Sequence, residues 1–269
     1  MHALLYMCVH LLQMSDKMLI TSLLEAIQQG DLALVQQLIM QQSNNEAVGA
    51  AARMPITASG ATALHIAAQQ GDLAIVEWLV QHGGADVAAV TTENGSTALH
   101  LAAAAGQLAV IKWLVQHGGA DVAAVDVDGF TALHSAAWPG HLAVIKWLVQ
   151  HGGADVSYLD ANGLTALDMM CQMQRSNLLE GVRLLAEHLA LKSPPLAAQV
   201  CERLPAQCRE AAVSAVASSY KDLTERFAAY MQGEGDRKWE AQCFYVQAAA
   251  ALRQSNQPMS SRPRRDGST

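Results

Sequence analysis

Thirteen letters, WLVQHGGADVAAV, run from Trp78 to Val90 and recur unchanged from Trp113 to Val125, while a third copy from Trp147, WLVQHGGADVSYL, changes only its end. The tetrapeptide TALH keeps the same beat. It begins at Thr62, Thr97 and Thr131, with TALD at Thr165, so successive starts lie 35, 34 and 34 residues apart. A fixed period of this size means that each copy is one supersecondary unit, too small to cover its own apolar face, which only a neighbouring copy can bury. The chain is therefore expected to stack its copies and not to form one irregular globule.

Each unit reads as helix, helix, hairpin. Thr62, Thr97, Thr131 and Thr165 suit a helix N-cap, because a hydroxyl there accepts from a backbone N–H that the helix leaves unpaired. A first helix then runs through Leu-His-x-Ala-Ala and stops at Gly71, Gly106 or Gly140. The second, as from Leu108 to His117, carries apolar residues at helical spacing and ends at a double glycine able to adopt left-handed backbone. Ala-Asp-Val leads on to an extended tip holding Asn94-Gly95, Asp128-Gly129 or Asn162-Gly163, dipeptides that favour tight hairpin turns. With 51% hydrophobic but only 5% aromatic residues, close helix packing through small side chains is expected.

These residues resemble the ankyrin repeat family, whose T-P-L-H-x-A signature and 33-residue unit are matched from Gly60 to about Leu191. The resemblance implies an all-α solenoid of helix-turn-helix units with hairpin tips, here followed by a C-terminal helical extension. Two departures stand out. The family proline is Ala63, Ala98, Ala132 and Ala166, which removes a pre-set first helical turn, and a second glycine in each HGGAD lengthens the unit. Leu23–Ile39 parallels Leu64–Val80, so residues 18–59 read as an N-terminal capping repeat with its connection. Repeats are expected at 60–93, 94–127 and 128–161, with a degenerate unit at 162–192 in which Asp168 replaces the histidine.

Before the array, the apolar run Ala3–Leu12 within residues 1–17 is too short to span a bilayer and lacks the flanks of a secretory signal. It reads as a cap helix, or as an overlong start with the initiator at Met14 or Met18. Beyond it, Pro194-Pro195 marks a boundary, and Val213, Val216, Tyr220, Leu223, Phe227 and Tyr230 follow helical seam spacing. Gly233-Glu234-Gly235 breaks that helix, and Trp239, Cys243, Val246 and Ala250 continue a second one. A helical hairpin over 193–254 is expected, as a cap on the fourth unit, a dimerisation element or a separate module, with a disordered polar tail at 255–269.

Charge and chemistry narrow the function classes. Residues 1–192 carry 7 Lys/Arg against 16 Asp/Glu, and residues 193–269 carry 10 against 8. The array lacks the basic stripe of a nucleic-acid binder, so none is expected as partner. Cys8, Cys171, Cys201, Cys208 and Cys243 are odd in number and show no CxxC spacing, which implies reduced thiols and a cytoplasmic protein. His65, His100 and His134 occupy one position of successive helices about 8–10 Å apart, whereas a zinc ion needs each donor within roughly 2.0–2.1 Å. No metal or cofactor is expected. By the resemblance, these histidines are structural hydrogen-bonding groups beside Thr62, Thr97 and Thr131. Trp78, Trp113 and Trp147 form a packing ladder. No GK[ST] loop, GxSxG elbow or HExxH occurs, so the chain is read as non-enzymatic.

What remains is where the copies differ. The tips TTENGS, DVDGFT and DANGLT vary, as do the ends of the first helices. By the resemblance these positions line the concave face: Glu93, Asn94, Ser96, Val127, Asp128, Phe130, Trp138, Pro139, Tyr158, Asp160 and Asn162 are the candidate partner-binding residues, with Gln69, Gln70, Ala104, Ala105, Ala161 and Leu164 around them. Phe130 and Trp138 are the expected anchors for a protein or peptide, and Glu93, Asp128 and Asp160 the expected negative rim. The alternative for Trp138-Pro139 is a plug against the fourth unit or the C-terminal helices. The rival function is an enzyme or secreted bacterial effector, acting in a host cytoplasm, with its activity in residues 193–269 and the repeats as targeting module. Oligomeric state is left open.

Overall fold

The computed structural model describes residues 18–41, 52–172 and 178–229, with side chains described to Ser219. The opening segment, the second arm of the expected C-terminal hairpin and the tail lie outside the described residues. Helices follow in the order α1 (residues 18–28), α2 (Leu32–Gln41), α3 (Ala63–Gln70), α4 (Leu73–Gln81), α5 (Ala98–Ala104), α6 (Leu108–Gln116), α7 (Ala132–Ala137), α8 (Leu142–Gln150), α9 (Ala166–Gln172), α10 (Leu178–Lys192), α11 (Pro194–Arg203) and α12 (Ala206–Ala229). Among the described residues the sole β feature is an isolated bridge between Val90 and Thr97, so the fold is the expected all-α solenoid. Two compact units divide it: Met1–Asp155 with Leu159–Ala166, and Val156–Tyr158 with Leu167–Thr269.

Within the first unit three successive repeats are closed by the same two side chains, a threonine and a histidine. Thr97 is extended, with φ −83° and ψ 168°, and precedes α5 as its N-cap. Its backbone N–H donates to His100 Nδ1 at 3.2 Å, and its hydroxyl lies 2.8 Å from the same nitrogen. Because Nδ1 accepts, the ring proton belongs on Nε2, which donates to the Phe130 carbonyl of the next repeat at 2.9 Å. His65 repeats this, with Thr62 at 3.2 and 2.9 Å and the Ser96 carbonyl at 3.1 Å, and His134 is likewise paired with Thr131. Burial, the larger influence, lowers the pKa of His65 and His100 despite the backbone carbonyls that favour the charged form. The rings of His65 and His100 therefore favour the neutral form, and each ties its repeat to the next through Nε2.

Apolar columns supply the rest. Leu64, Leu99 and Leu133 on the first helices, and Leu79, Leu114 and Leu148 on the second, are all buried in register. Each such side chain contributes about 1.5–3 kcal/mol, and only the neighbour's presence makes that burial possible. Trp113 and Trp147 are 9% exposed and stack on His117 and His151 with ring centres 6.1 and 6.3 Å apart. On the outer edge Gln107 Nε2 donates to the Gln70 carbonyl at 3.0 Å, and His141 Nε2 approaches the Ala104 carbonyl at 3.0 Å. The helices of residues 18–41 bury Leu23, Ile27, Val35 and Ile39, and α2 packs on α4, which continues the array toward the N-terminus.

The double glycine serves two ends. A Cβ on Gly118 would meet the Leu114 carbonyl oxygen at 2.9 Å, so the chain can fold back against α6 only without a side chain there. Gly119 has no such neighbour but takes φ +71°, the left-handed turn that leads away from the helix. The tips differ from the tight hairpin turns expected from sequence. Residues 126–130 and 160–164 are longer turns closed by Asp126 N–H to the Phe130 carbonyl and Asp160 N–H to the Leu164 carbonyl. In each an aspartate side chain caps the turn. Asp126 Oδ1 accepts from Asp128 and Phe130 N–H, and Asp160 Oδ1 from Asn162 and Leu164 N–H.

In the second unit α12 lies along α10, with α11 against both. Val182, Leu185 and Leu189 of α10, Val200 and Leu204 near α11, and Ala212 and Val216 of α12 form its buried core. Pro194 and Pro195 occupy the first positions of α11, where a missing N–H costs nothing, so the expected boundary is a helix start. Asp168, the residue that breaks the histidine column, is 6% exposed and pairs with Arg203 at 3.0 Å. Tyr220, Leu223 and Phe227 fall on the α12 backbone, but their side chains, and Tyr230, lie outside the described part.

Candidate docking surface

Neighbouring tips are joined sideways. Thr92 N–H donates to the Ser59 carbonyl at 2.9 Å, Val127 N–H to Asn94 at 3.0 Å and Ala161 N–H to Asp128 at 3.0 Å. These bonds place the tips in a row and commit their backbone donors to one another. On this edge the side chains of Glu93, Asn94, Asp128 and Asn162 are exposed, and Val127 is 68% exposed.

Where the row meets α5 and α7, an apolar groove of about 310 Å³ opens, lined by Ala104, Phe130, Ser135, Trp138 and Pro139. Each wall has a local cause. Phe130 is held from both sides: its N–H donates to Asp126 Oδ1 at 2.8 Å, its carbonyl accepts from His100, and its ring stacks on His134 with centres 6.0 Å apart and 9° between planes. Trp138 follows the last helical residue of α7, and its N–H donates to the His134 carbonyl at 3.0 Å. Pro139 cannot extend the helix, so the indole stands at its end, 46% exposed.

Ser135 was not among the residues expected from sequence, although the repeat comparison contains the signal. The same position is Ile66 in the first complete unit and Leu101 in the second. A serine in the third removes the branched side chain that would stand between Phe130 and Trp138, and the groove occupies that space. Half-buried Pro139 is also part of the lining.

Two expected contact residues lie elsewhere. Ser96 is 8% exposed; its N–H donates to Thr91 Oγ1 at 3.0 Å and its carbonyl accepts from His65. Asp160 is 6% exposed because its carboxylate caps the turn, so it is placed inside the tip and not on the rim. The open acidic groups of the row are Glu93 and Asp128. Tyr158, 38% exposed, belongs to the second compact unit.

The second unit holds a cluster that the sequence spacing conceals. Cys171, Cys201 and Cys208 are free and buried, contributed by α9, α11 and α12 and separated by 30 and 7 residues in the chain. Burial first, then a hydrogen bond with Cys208, pushes the Cys171 thiol well above the usual range. Burial and the nearby Asp168 carboxylate push Cys201 up to about 11. At neutral pH both are protonated, which suits neither a nucleophile nor a metal ligand. Among the described residues no group of three or more His, Cys, Asp or Glu is placed to hold a metal ion, and no helix is long and apolar enough to cross a membrane.

A sequence model described as ankyrin repeats, in three copies, matches residues 23–126 and 119–194. No curated protein is matched by the chain.

Proposed function

The chain belongs to the ankyrin repeat family, and on that premise we propose that it is a non-catalytic scaffold docking a protein or peptide on the concave face built from its tips and first-helix ends. Repeats of this family are in general protein-interaction modules, and the family is typically non-enzymatic. The observation that carries the finer reading is Trp138: a large indole, 46% exposed, stands beside a rigidly held Phe130 in a groove with no charged wall. Tryptophan leads the residue types that dominate interface energies, and leaving such surface wet wastes burial a partner would recover. Glu93, Asn94, Val127, Asp128 and Asn162 extend the face along the tip row.

The C-terminal helices are read as a cap, supported by α12 lying along α10, the second helix of the degenerate repeat. A catalytic role there finds no support in thiols held protonated. The cytoplasmic assignment rests on the odd, unspaced cysteines.

Trp138→Ala and Phe130→Ala chains, immobilised and exposed to lysate of the native cell, are expected to recover the wild-type partner poorly. Truncating an anchor of this kind lowers affinity by about 2 kcal/mol, roughly thirtyfold. Undiminished recovery, with the helical circular-dichroism spectrum intact, would remove the docking surface.

A further inference from the structure

We infer that the occupant of the groove is a cationic peptide segment, with one uncharged aliphatic or aromatic side chain seated between Phe130 and Trp138 and Arg or Lys beside it facing Glu93 and Asp128. This deepens the docking reading and rests on it. Size comes first. At about 310 Å³ the groove sits at the bottom of the ~300–1,000 Å³ range of sites that bury a whole small ligand, and an indole left 46% exposed on its wall cannot enclose one. A peptide side chain fills such a space while its backbone stays outside.

The walls fix the anchor's chemistry. Ala104, Phe130, Trp138 and Pro139 present carbon and the indole N–H, with the Ser135 hydroxyl beside them and no charged group, so a charged side chain inserted there would lose its hydration without a charged partner.

The surroundings fix the flanks. Residues 60–155 hold eight carboxylates and only two cations, Lys112 and Lys146. Both lysines stand on second helices, α6 and α8, whereas the groove is lined from α5, α7 and the tip before α7. Asp128 is exposed two residues from Phe130, and Glu93 is exposed on the tip joined to it through the Asn94–Val127 hydrogen bond. An acidic segment would meet like charge there; a basic one gains complementarity, and the exposed indole adds a face on which a guanidinium can stack. Strand addition along the tips is disfavoured, since the tip N–H groups of Thr92, Val127 and Ala161 already donate to neighbouring carbonyls. Phosphate-bearing partners are disfavoured by the same carboxylates.

The test selects displayed random peptides of about twelve residues on the immobilised full-length chain and discards those that also bind Trp138→Ala. Survivors are expected to share an aliphatic or aromatic residue flanked by Arg or Lys. A synthetic survivor is expected to bind about tenfold more weakly to the Glu93→Lys, Asp128→Lys double variant, whose changes touch only exposed side chains, and to weaken as salt is raised. Survivors that are neutral or acidic, or indifferent to the charge reversal, overturn the cationic assignment and leave the docking face standing. If every binder is retained by Trp138→Ala, both the assignment and the docking face fall.

Discussion

Replacing His100 by leucine tests whether the histidine column couples the repeats. Leucine fills similar space but can neither accept from Thr97 nor donate to Phe130. In the native chain His100 is 2% exposed and makes contacts of 3.2 Å to Thr97 N, 2.8 Å to the Thr97 hydroxyl and 2.9 Å to the Phe130 carbonyl. The hydroxyl can rotate toward another acceptor, so two groups, the Thr97 N–H and the Phe130 carbonyl, are left without their partner. At about 1–3 kcal/mol for each unsatisfied buried group, and toward the lower end for the partly buried carbonyl, the loss is about 2–4 kcal/mol.

The assay is urea unfolding followed by circular dichroism at several pH values. The pH dependence has a defined sign. Burial lowers the pKa of His100 below its ordinary 6.5, so the folded state binds fewer protons than the unfolded one. The stability this represents is fully present above pH 6.5 and is lost as pH falls below it. Wild type should therefore lose stability faster than His100→Leu on acidification, and the gap between them should narrow from neutral pH toward about pH 5. A loss under about 1 kcal/mol, or a gap that widens on acidification, would refute the reasoning.

Other expectations are simpler. Arg203→Ala removes the partner that Asp168 holds at 3.0 Å; because the guanidinium is 44% exposed, solvent screens the pair, and a loss of about 1 kcal/mol in thermal or urea unfolding is expected, with an unchanged midpoint counting against the pair. Cys171, Cys201 and Cys208, all three buried, should react with a thiol reagent only as fast as the chain unfolds, and rapid native labelling of any of the three would contradict their placement. Gln107→Ala cuts the donor shared by the Gln69 and Gln70 carbonyls and should cost about 0.5–1.5 kcal/mol in the same unfolding assay; no change would mean that solvent replaces the bond.

The parts of this fold that repeat were legible because stacking forces the same residue into the same register. TALH, the leucine columns and the Trp ladder could be read by comparing one copy with another. The tips were less so: Asn-Gly and Asp-Gly suggested tight hairpin turns, yet Asp126 and Asp160 turn their carboxylates back onto their own backbone and hold longer loops. That bond is set by side-chain geometry, which a dipeptide preference does not encode. The same capping explains why Asp160, read as a rim charge, is inside. Ser135 shows the converse, since its meaning lies in the Ile66 and Leu101 it replaces. The thiol cluster of Cys171, Cys201 and Cys208 depends on how α9, α11 and α12 pack, where no repeat supplies a register.

The most direct test of the central claim is a contact measurement at the groove itself. A photo-crosslinking amino acid is placed at position 138 in one chain and at position 112, on the exposed face of α6, in another, and each is irradiated with the native partner bound. If stacking leaves the tip-and-groove face as the surface available for recognition, position 138 gives the covalent adduct and position 112 gives none. An adduct at 112 with none at 138 would place the partner on the outer helices and contradict the account.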